Sequence, residues 1–224
     1  MRPLIAVMSC GRDALNGCHR AIRCTWVTQV PNGIEYRIFV GRGEQPLEPD
    51  EVRLDVPDDY NGLVLKSQAI RRWALDQGYD FVFKADRDTY IAPVRLLKSG
   101  FEKHDYVGHF PMHPVVGPAP RHVDPRGCYP YASGGCGYWT SARAMRIIAE
   151  APIDERCLDN RGVPAEDLWI PNILYPVGVF GYHDDRYTFR GDYLPSPFSI
   201  TVHLSKATGS YLPMWMHQAH DRSL

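Results

Sequence analysis

Tyr79-Asp80-Phe81-Val82-Phe83-Lys84-Ala85-Asp86-Arg87-Asp88-Thr89-Tyr90-Ile91 decides how this chain is read. The apolar run from Phe81 to Phe83, bounded by polar residues, predicts a buried strand over Phe81–Lys84. Two carboxylates one residue apart, Asp86 and Asp88, follow at the strand's carboxyl end. In open α/β sheets the chemistry sits just beyond such ends. Two acids there form a small oxygen-ligand site for a hard divalent cation, of the kind that also holds a diphosphate. A solvated turn after the strand is the other reading, because aspartate is common in turns.

Outward from that strand the pattern is β-α-β-α-β. Leu4 to Ser9 predicts a first strand, and Asn16 to Trp26 a helix with Ala21, Ile22 and Trp26 near one face. Ile34 to Val40 predicts a second strand, and the acidic stretch Asp50 to Asp59 a loop. Leu63 to Gln77 predicts an amphipathic helix with Leu65, Ala69, Ile70, Trp73 and Ala74 inward. This order favours a doubly wound, mostly parallel, Rossmann-like α/β sheet with flanking helices and right-handed crossovers. Six prolines between His109 and Pro130 leave no room for a helix and predict a long irregular binding loop. Helices are expected again over Ser141 to Glu150 and, despite Pro171, over Asp167 to Leu174. The tail from Tyr187 is rich in proline, glycine and aromatic residues.

With 224 residues and 44% apolar content the chain can bury a full core as one domain. A formal net charge of −1, from 25 basic and 26 acidic residues, gives no basis for electrostatic capture of nucleic acid or anionic membrane. No apolar run approaches the roughly eighteen residues a bilayer span needs. The start, Met1 to Cys10, reads as a strand and not as a signal peptide, since no small-residue cleavage site follows. Six cysteines show no zinc-type spacing, and without an export signal they are expected as free, buried thiols in a cytoplasmic protein.

Three further constellations carry chemistry. In Tyr129-Pro130-Tyr131-Ala132-Ser133-Gly134-Gly135-Cys136-Gly137-Tyr138-Trp139-Thr140-Ser141 the glycines allow close backbone approach to a ligand, and Ser141 is placed to cap the following helix. The flanking aromatics favour a surface on which a sugar or base stacks, although a plain strand-to-helix turn fits the segment equally. Glu166-Asp167 at a helix start satisfies the helix dipole, and it also offers a carboxylate for general-base work. His203, in the alternating strand Ile200-Thr201-Val202-His203-Leu204, is either an ordinary hydrogen-bonded histidine or a third metal ligand.

Six segments fall in a recognisable order: Arg20-Ala21-Ile22-Arg23-x-Thr25-Trp26, Asp59-Tyr60-x-x-Leu63-x-Leu65-Lys66-Ser67 with Trp73, Lys84-x-Asp86-x-Asp88, Ser133-Gly134-Gly135-x-Gly137-Tyr138-x-x-Ser141, Glu166-Asp167-Leu168 and Val202-His203. Together they resemble the superfamily of β-1,3-galactosyltransferases, Fringe and core-1 galactosyltransferases, from about Ser9 to His203. The resemblance implies a GT-A fold and a metal-dependent inverting transferase using a nucleotide sugar, usually a UDP-sugar. It implies a nucleotide-sugar-binding half over about 1–108 and an acceptor-binding, catalytic half over about 109–224. By the same resemblance Asp86 and Asp88 bind the donor ribose and Mn²⁺ (or Mg²⁺), and His203 completes the metal site. Asp167 is the catalytic base, Arg23 and Lys66 lie near the donor, and Gly134 and Gly135 line the donor pocket.

Two departures qualify this. The superfamily usually has an acid where Arg87 stands, and its Golgi anchor, stem and secretory disulfides have no counterpart here. A bacterial or viral enzyme is therefore expected, with a glycan, protein, small molecule or modified nucleic-acid base as acceptor. Two other classes stand beside the transferase. One is a metal-dependent phosphoester hydrolase built on Asp86, Asp88, His203 and His183-Asp184-Asp185. The other is a non-catalytic carbohydrate-binding module on the same fold.

Overall fold

The computed structural model describes residues 1–111, 129–153, 157–158, 162, 165–188, 196–204 and 212–223. In chain order they form β1 (Pro3–Met8), α1 (Gly11–Leu15), α2 (Cys18–Cys24), β2 (Glu35–Val40), β3 (Glu51–Arg53), α3 (Leu63–Asp76), β4 (Phe81–Asp86), β5 (Thr89–Ile91) and α4 (Pro93–Leu97). There follow β6 (Tyr106–Gly108), β7 (Tyr138–Ser141), α5 (Ala142–Glu150), α6 (Glu166–Leu174), β8 (Gly181–His183), β9 (Tyr187–Thr188), β10 (Thr201–His203) and α7 (Leu212–Ser223).

Among the described residues, the main sheet has the order β3-β2-β1-β4-β7-β6-β8, and a small second sheet the order β5-β10-β9. The strands β3, β2, β1 and β4 run parallel, whereas β7 is antiparallel to both β4 and β6. The expected doubly wound, mostly parallel sheet is present, and β7 from the second half of the chain is an integral part of it.

Every residue of β1 is buried, as a continuous apolar run in a sheet covered on both faces requires. The period of two divides its side chains between two cores. Leu4, Ala6 and Met8 pack with Ile70, Ala74 and Met145 of α3 and α5. Ile5 and Val7 pack with Ile22 of α2, Trp26 and Met216 of α7. The chain leaves β1 toward β2 on one side and reaches β4 on the other. The carboxyl ends of β1 and β4 are therefore the point where strand order reverses, and a crevice is expected there.

Several local expectations need correction. The helix foreseen over Asn16 to Trp26 is the shorter α2, Cys18–Cys24, which starts after Gly17 in the left-handed region (φ 78°), is preceded by the separate helix α1, and is followed by a 3₁₀ turn at Trp26–Gln29. The stretch read as an acidic loop contains the edge strand β3, whose Glu51 is buried against His19 and Arg23. Leu65 points to solvent, and the buried side of α3 carries Lys66, Ser67, Gln68 and Arg71 instead. Tyr138 and Trp139 are core residues and offer no stacking surface, because β7 lies between two strands with both faces covered; Trp139 stacks on Phe101 at 3.8 Å. Ser141 does cap α5, accepting the Ala144 N–H at 3.3 Å. Of the proline-rich segment, 112–128 lie outside the described residues, as does Cys128. The five described cysteines are free, with Cys18, Cys136 and Cys157 buried and Cys24 exposed. No helix among the described residues is long and apolar enough to cross a membrane.

Candidate active site

A cavity of about 250 Å³ opens at the strand-order reversal. Its wall comes from the end of β1 (Met8, Ser9, Cys10), from Arg12 and Asp13 of α1, from Asp58 to Tyr60 with Leu63 and Lys66, and from Asp86, Arg87 and Asp88. Five carboxylates and three cationic side chains line it, which leaves an excess of two negative charges.

The acidic tip is held by short-range hydrogen bonds. The Asp86 N–H donates to Thr89 Oγ1 at 3.0 Å, and that hydroxyl donates to the Gly135 carbonyl at 2.8 Å. The Leu204 N–H donates to the Asp88 carbonyl at 2.8 Å, in register with the β10–β5 pairing that sets His203 opposite Thr89. His203 Nε2 consequently lies 3.5 Å from Asp88 Oδ2. Burial pushes the Asp88 carboxyl up, but the hydrogen bond and charge of His203 outweigh it and hold Asp88 below the usual carboxylate range. Asp86 behaves oppositely: burial raises it, the charges of Asp88 and Glu166 add to that, and Lys84 only partly offsets the rise.

Gly135 and Gly137 make room for the protein itself, not for a ligand. A Cβ on Gly135 would collide with the His203 ring. One on Gly137, which is held at φ 75°, would collide with Phe83. Gly134 faces Lys84, Glu166 and Asp167, the first two at 3.2 and 3.3 Å from a notional Cβ.

The two acids that open α6 have separate surroundings. Glu166 is buried: Ser67 Oγ donates to it at 3.0 Å, Tyr138 donates its hydroxyl, and Lys84 Nζ stands 3.5 Å away. Burial opposes the ionised form, but Lys84 and Arg71 overcome it and hold Glu166 below the usual range. Asp167 is half-buried beside the Gly134 N–H. Burial and the charge of Glu166 push its carboxyl up to about 6. That is the range in which a carboxylate serves as a general base near neutral pH.

Of the other predicted residues, Lys66 lines the cavity and donates to the Ser9 carbonyl and to Asp58, both at 2.7 Å. Arg23 does not line it. Its guanidinium is held by Asp50 and Glu51, each at 2.7 Å. Glu51 in turn contacts His19 Nδ1 at 2.8 Å, and His19 Nε2 contacts Ser9 Oγ in the cavity wall at 2.8 Å. Arg23 thus braces the wall from behind. The residues Asp86, Asp88 and His203 are brought into one neighbourhood but not into a ready three-ligand cluster; among the described residues none exists. Asp88 and His203 face each other, while Asp86 is drawn onto Lys84 at 2.5 Å. His183 and Asp185 pair with each other at the end of β8, Asp184 pairs with Arg186, and none of the three lines the cavity.

Sequence reasoning missed three participants. Lys84 joins Asp86 to Glu166. Asp13, 2% exposed, receives Arg87 at 2.7 Å and neutralises the cation between the two acids. Arg71, fully buried, binds Ser67 Oγ at 2.7 Å and the Tyr138 hydroxyl at 2.9 Å. A lysine inside an apolar strand was the one available signal, since such a cation requires a buried partner.

The sequence matches no family model, and no curated protein matches it. The structure is similar to that of a glycosyltransferase involved in the glycosylation of the major capsid of PBCV-1, over 96% of this chain and 100% of that one, with 16% identity and a TM-score of 0.56. It is also similar to the glycosyltransferase GlyE of Streptococcus pneumoniae TIGR4, over 98% of this chain but 60% of that one, with 12% identity and a TM-score of 0.57. These likenesses establish a glycosyltransferase-type α/β fold.

Proposed function

We propose that this chain is a metal-dependent inverting glycosyltransferase that moves a sugar from a nucleotide sugar, of the UDP-sugar class, to an acceptor hydroxyl. The observation that carries the reading is the pairing of His203 with Asp88, which lines the cavity, together with Asp167, a carboxyl raised to about 6 that feels the charges of Glu166 and Asp86. The fold supports a glycosyltransferase in general, and the form Ser133-Gly134-Gly135-x-Gly137-Tyr138 is what favours the Fringe and core-1 branch.

Asp88 and His203, joined by Asp86, would hold a Mn²⁺ or Mg²⁺ ion, with which an aspartate and imidazole set is compatible. Such an ion neutralises charge on a departing diphosphate. The cavity's negative excess argues for it, because a diphosphate entering alone meets more repulsion than attraction. Lys66 and the Ser9 wall orient the nucleoside end. Asp167 takes the acceptor hydroxyl's proton as the new glycosidic bond forms and the sugar–phosphate bond breaks. A single displacement of this kind needs one base and no covalent nucleophile. The acceptor is a glycan, protein, small molecule or modified nucleic-acid base.

Thermal-shift measurement of binding across a panel of nucleotide sugars, with and without Mn²⁺, tests the reading. A Mn²⁺-dependent response to UDP-sugars, followed by sugar transfer, is expected. Phosphoester hydrolysis without transfer to any acceptor would overturn it.

A further inference from the structure

We infer that Lys84 is a positioning residue, an internal counter-ion that holds Asp86 while no metal is bound and competes with a divalent cation for that carboxylate. The inference rests on the metal-dependent reading above and goes beyond it.

An ammonium has three donors and no acceptor, and Lys84 Nζ has three acceptors around it. These are Asp86 Oδ1 at 2.5 Å, Glu166 Oε2 at 3.5 Å and the Gly134 carbonyl at 3.4 Å. Only 1% of the Lys84 side chain is exposed, so it cannot exchange these partners for water. Asp86 is differently placed: 30% of its side chain remains exposed and it lines the cavity. It therefore has a fixed cation on its inner side and an open approach on its outer side. A divalent ion entering beside Asp88 must share Asp86 with Lys84 and meets its positive charge within a few ångströms. The same ammonium reaches Glu166, the residue before Asp167. Lys84 thus ties the cation end of the site to the first turn of α6.

The test is Mn²⁺ binding by isothermal titration calorimetry, without donor, to the full chain and to Lys84→Met, Lys84→Arg, Glu166→Gln and Asp88→Asn. Removing the competing charge in Lys84→Met should tighten Mn²⁺ binding about tenfold or more, even as transfer falls because Asp86 is no longer held. Lys84→Arg, which keeps the charge, should bind Mn²⁺ within a few-fold of the parent. Glu166→Gln leaves Lys84 to Asp86 alone and should weaken binding. A merely structural lysine would predict weaker or unchanged binding in Lys84→Met, and that result overturns the inference. Should Lys84→Met fail to fold, the Glu166→Gln arm decides: unchanged or tighter binding there overturns it. If the parent binds Mn²⁺ and Asp88→Asn does not, the metal reading stands whatever Lys84 does. If the parent binds none, that reading falls, and this one with it.

Discussion

Replacing Asp167 by asparagine should make the protein more stable and less active at once. Its surroundings raise the carboxyl from an ordinary 3.8 to about 6, chiefly by burial and then by the charge of Glu166. Below pH 4 the group is protonated in both folded and unfolded chains and contributes no pH-dependent difference. Between pH 4 and 6 the unfolded chain loses its proton first, so the native state loses stability as pH rises through this window. Above pH 6 the full cost of the ionised group persists. A displacement of about two units corresponds to about 3 kcal/mol. Partial exposure of Asp167 to water reduces this to about 1–2 kcal/mol. Asparagine keeps an oxygen to accept the Gly134 N–H and carries no charge, so it removes the cost without creating a void.

For a domain of this size the gain amounts to a rise in Tm of roughly 2–8 °C. Thermal unfolding of the parent and of Asp167→Asn should be followed by circular dichroism from pH 4 to pH 8 in a chelator, since a bound cation would itself favour the ionised form. The two curves should meet near pH 4 and separate by pH 7. Sugar transfer by the same variant should fall by about 10²–10⁴-fold, with donor binding retained. A variant that is no more stable at pH 7 would refute the electrostatic reasoning. One that transfers at near-parent rate, while Glu166→Gln does not, would show that the wrong carboxylate bears the proton.

Asp88→Asn should abolish Mn²⁺-dependent binding of a UDP-sugar while circular dichroism and Tm stay near those of the parent; undiminished turnover would remove Asp88 from the site. Gly135→Ala should displace the His203 ring and weaken Mn²⁺ binding, and pairing it with His203→Ala should recover the lost Tm but not the binding, which calorimetry would report. Asp13→Ala should cost about 1–3 kcal/mol in chemical denaturation, because it leaves Arg87 partly buried and uncompensated; the double variant with Arg87→Leu should regain much of that loss.

The sheet was legible because its central strands carry their own signal. An unbroken apolar run such as Leu4 to Met8 needs no partner to be recognised, and the Asp-x-Asp tip follows from where Phe81 to Ala85 end. The helix over Leu63–Asp76 misled for a physical reason. Amphipathic patterning assumes that polar residues face water, yet Lys66, Ser67, Gln68 and Arg71 face inward because Asp58, Glu166, Tyr138 and two carbonyls of α5 and its end supply their partners. Those partners lie far off in the chain: Ser67 and Glu166 are 99 residues apart. No local pattern announces such a pairing. The edge strand at Glu51 was hidden in the same way, since its burial depends on His19 and Arg23.

Arg87 shows how long-range compensation alters the reading of a site. In sequence it interrupts the acidic motif with a positive charge that looks adverse to cation binding. In the fold Asp13 takes up that charge at 2.7 Å from the buried side, and Asp86 and Asp88 remain the open carboxylates of the tip. Lys66 is similarly matched by Asp58 at 2.7 Å. With two of its three cations paired internally, the cavity's negative excess falls on Asp59, Asp86 and Asp88, set against Arg12. That distribution suits a divalent cation first and an anionic diphosphate second, so donor affinity should depend on Mn²⁺ concentration more steeply than Mn²⁺ affinity depends on Arg87.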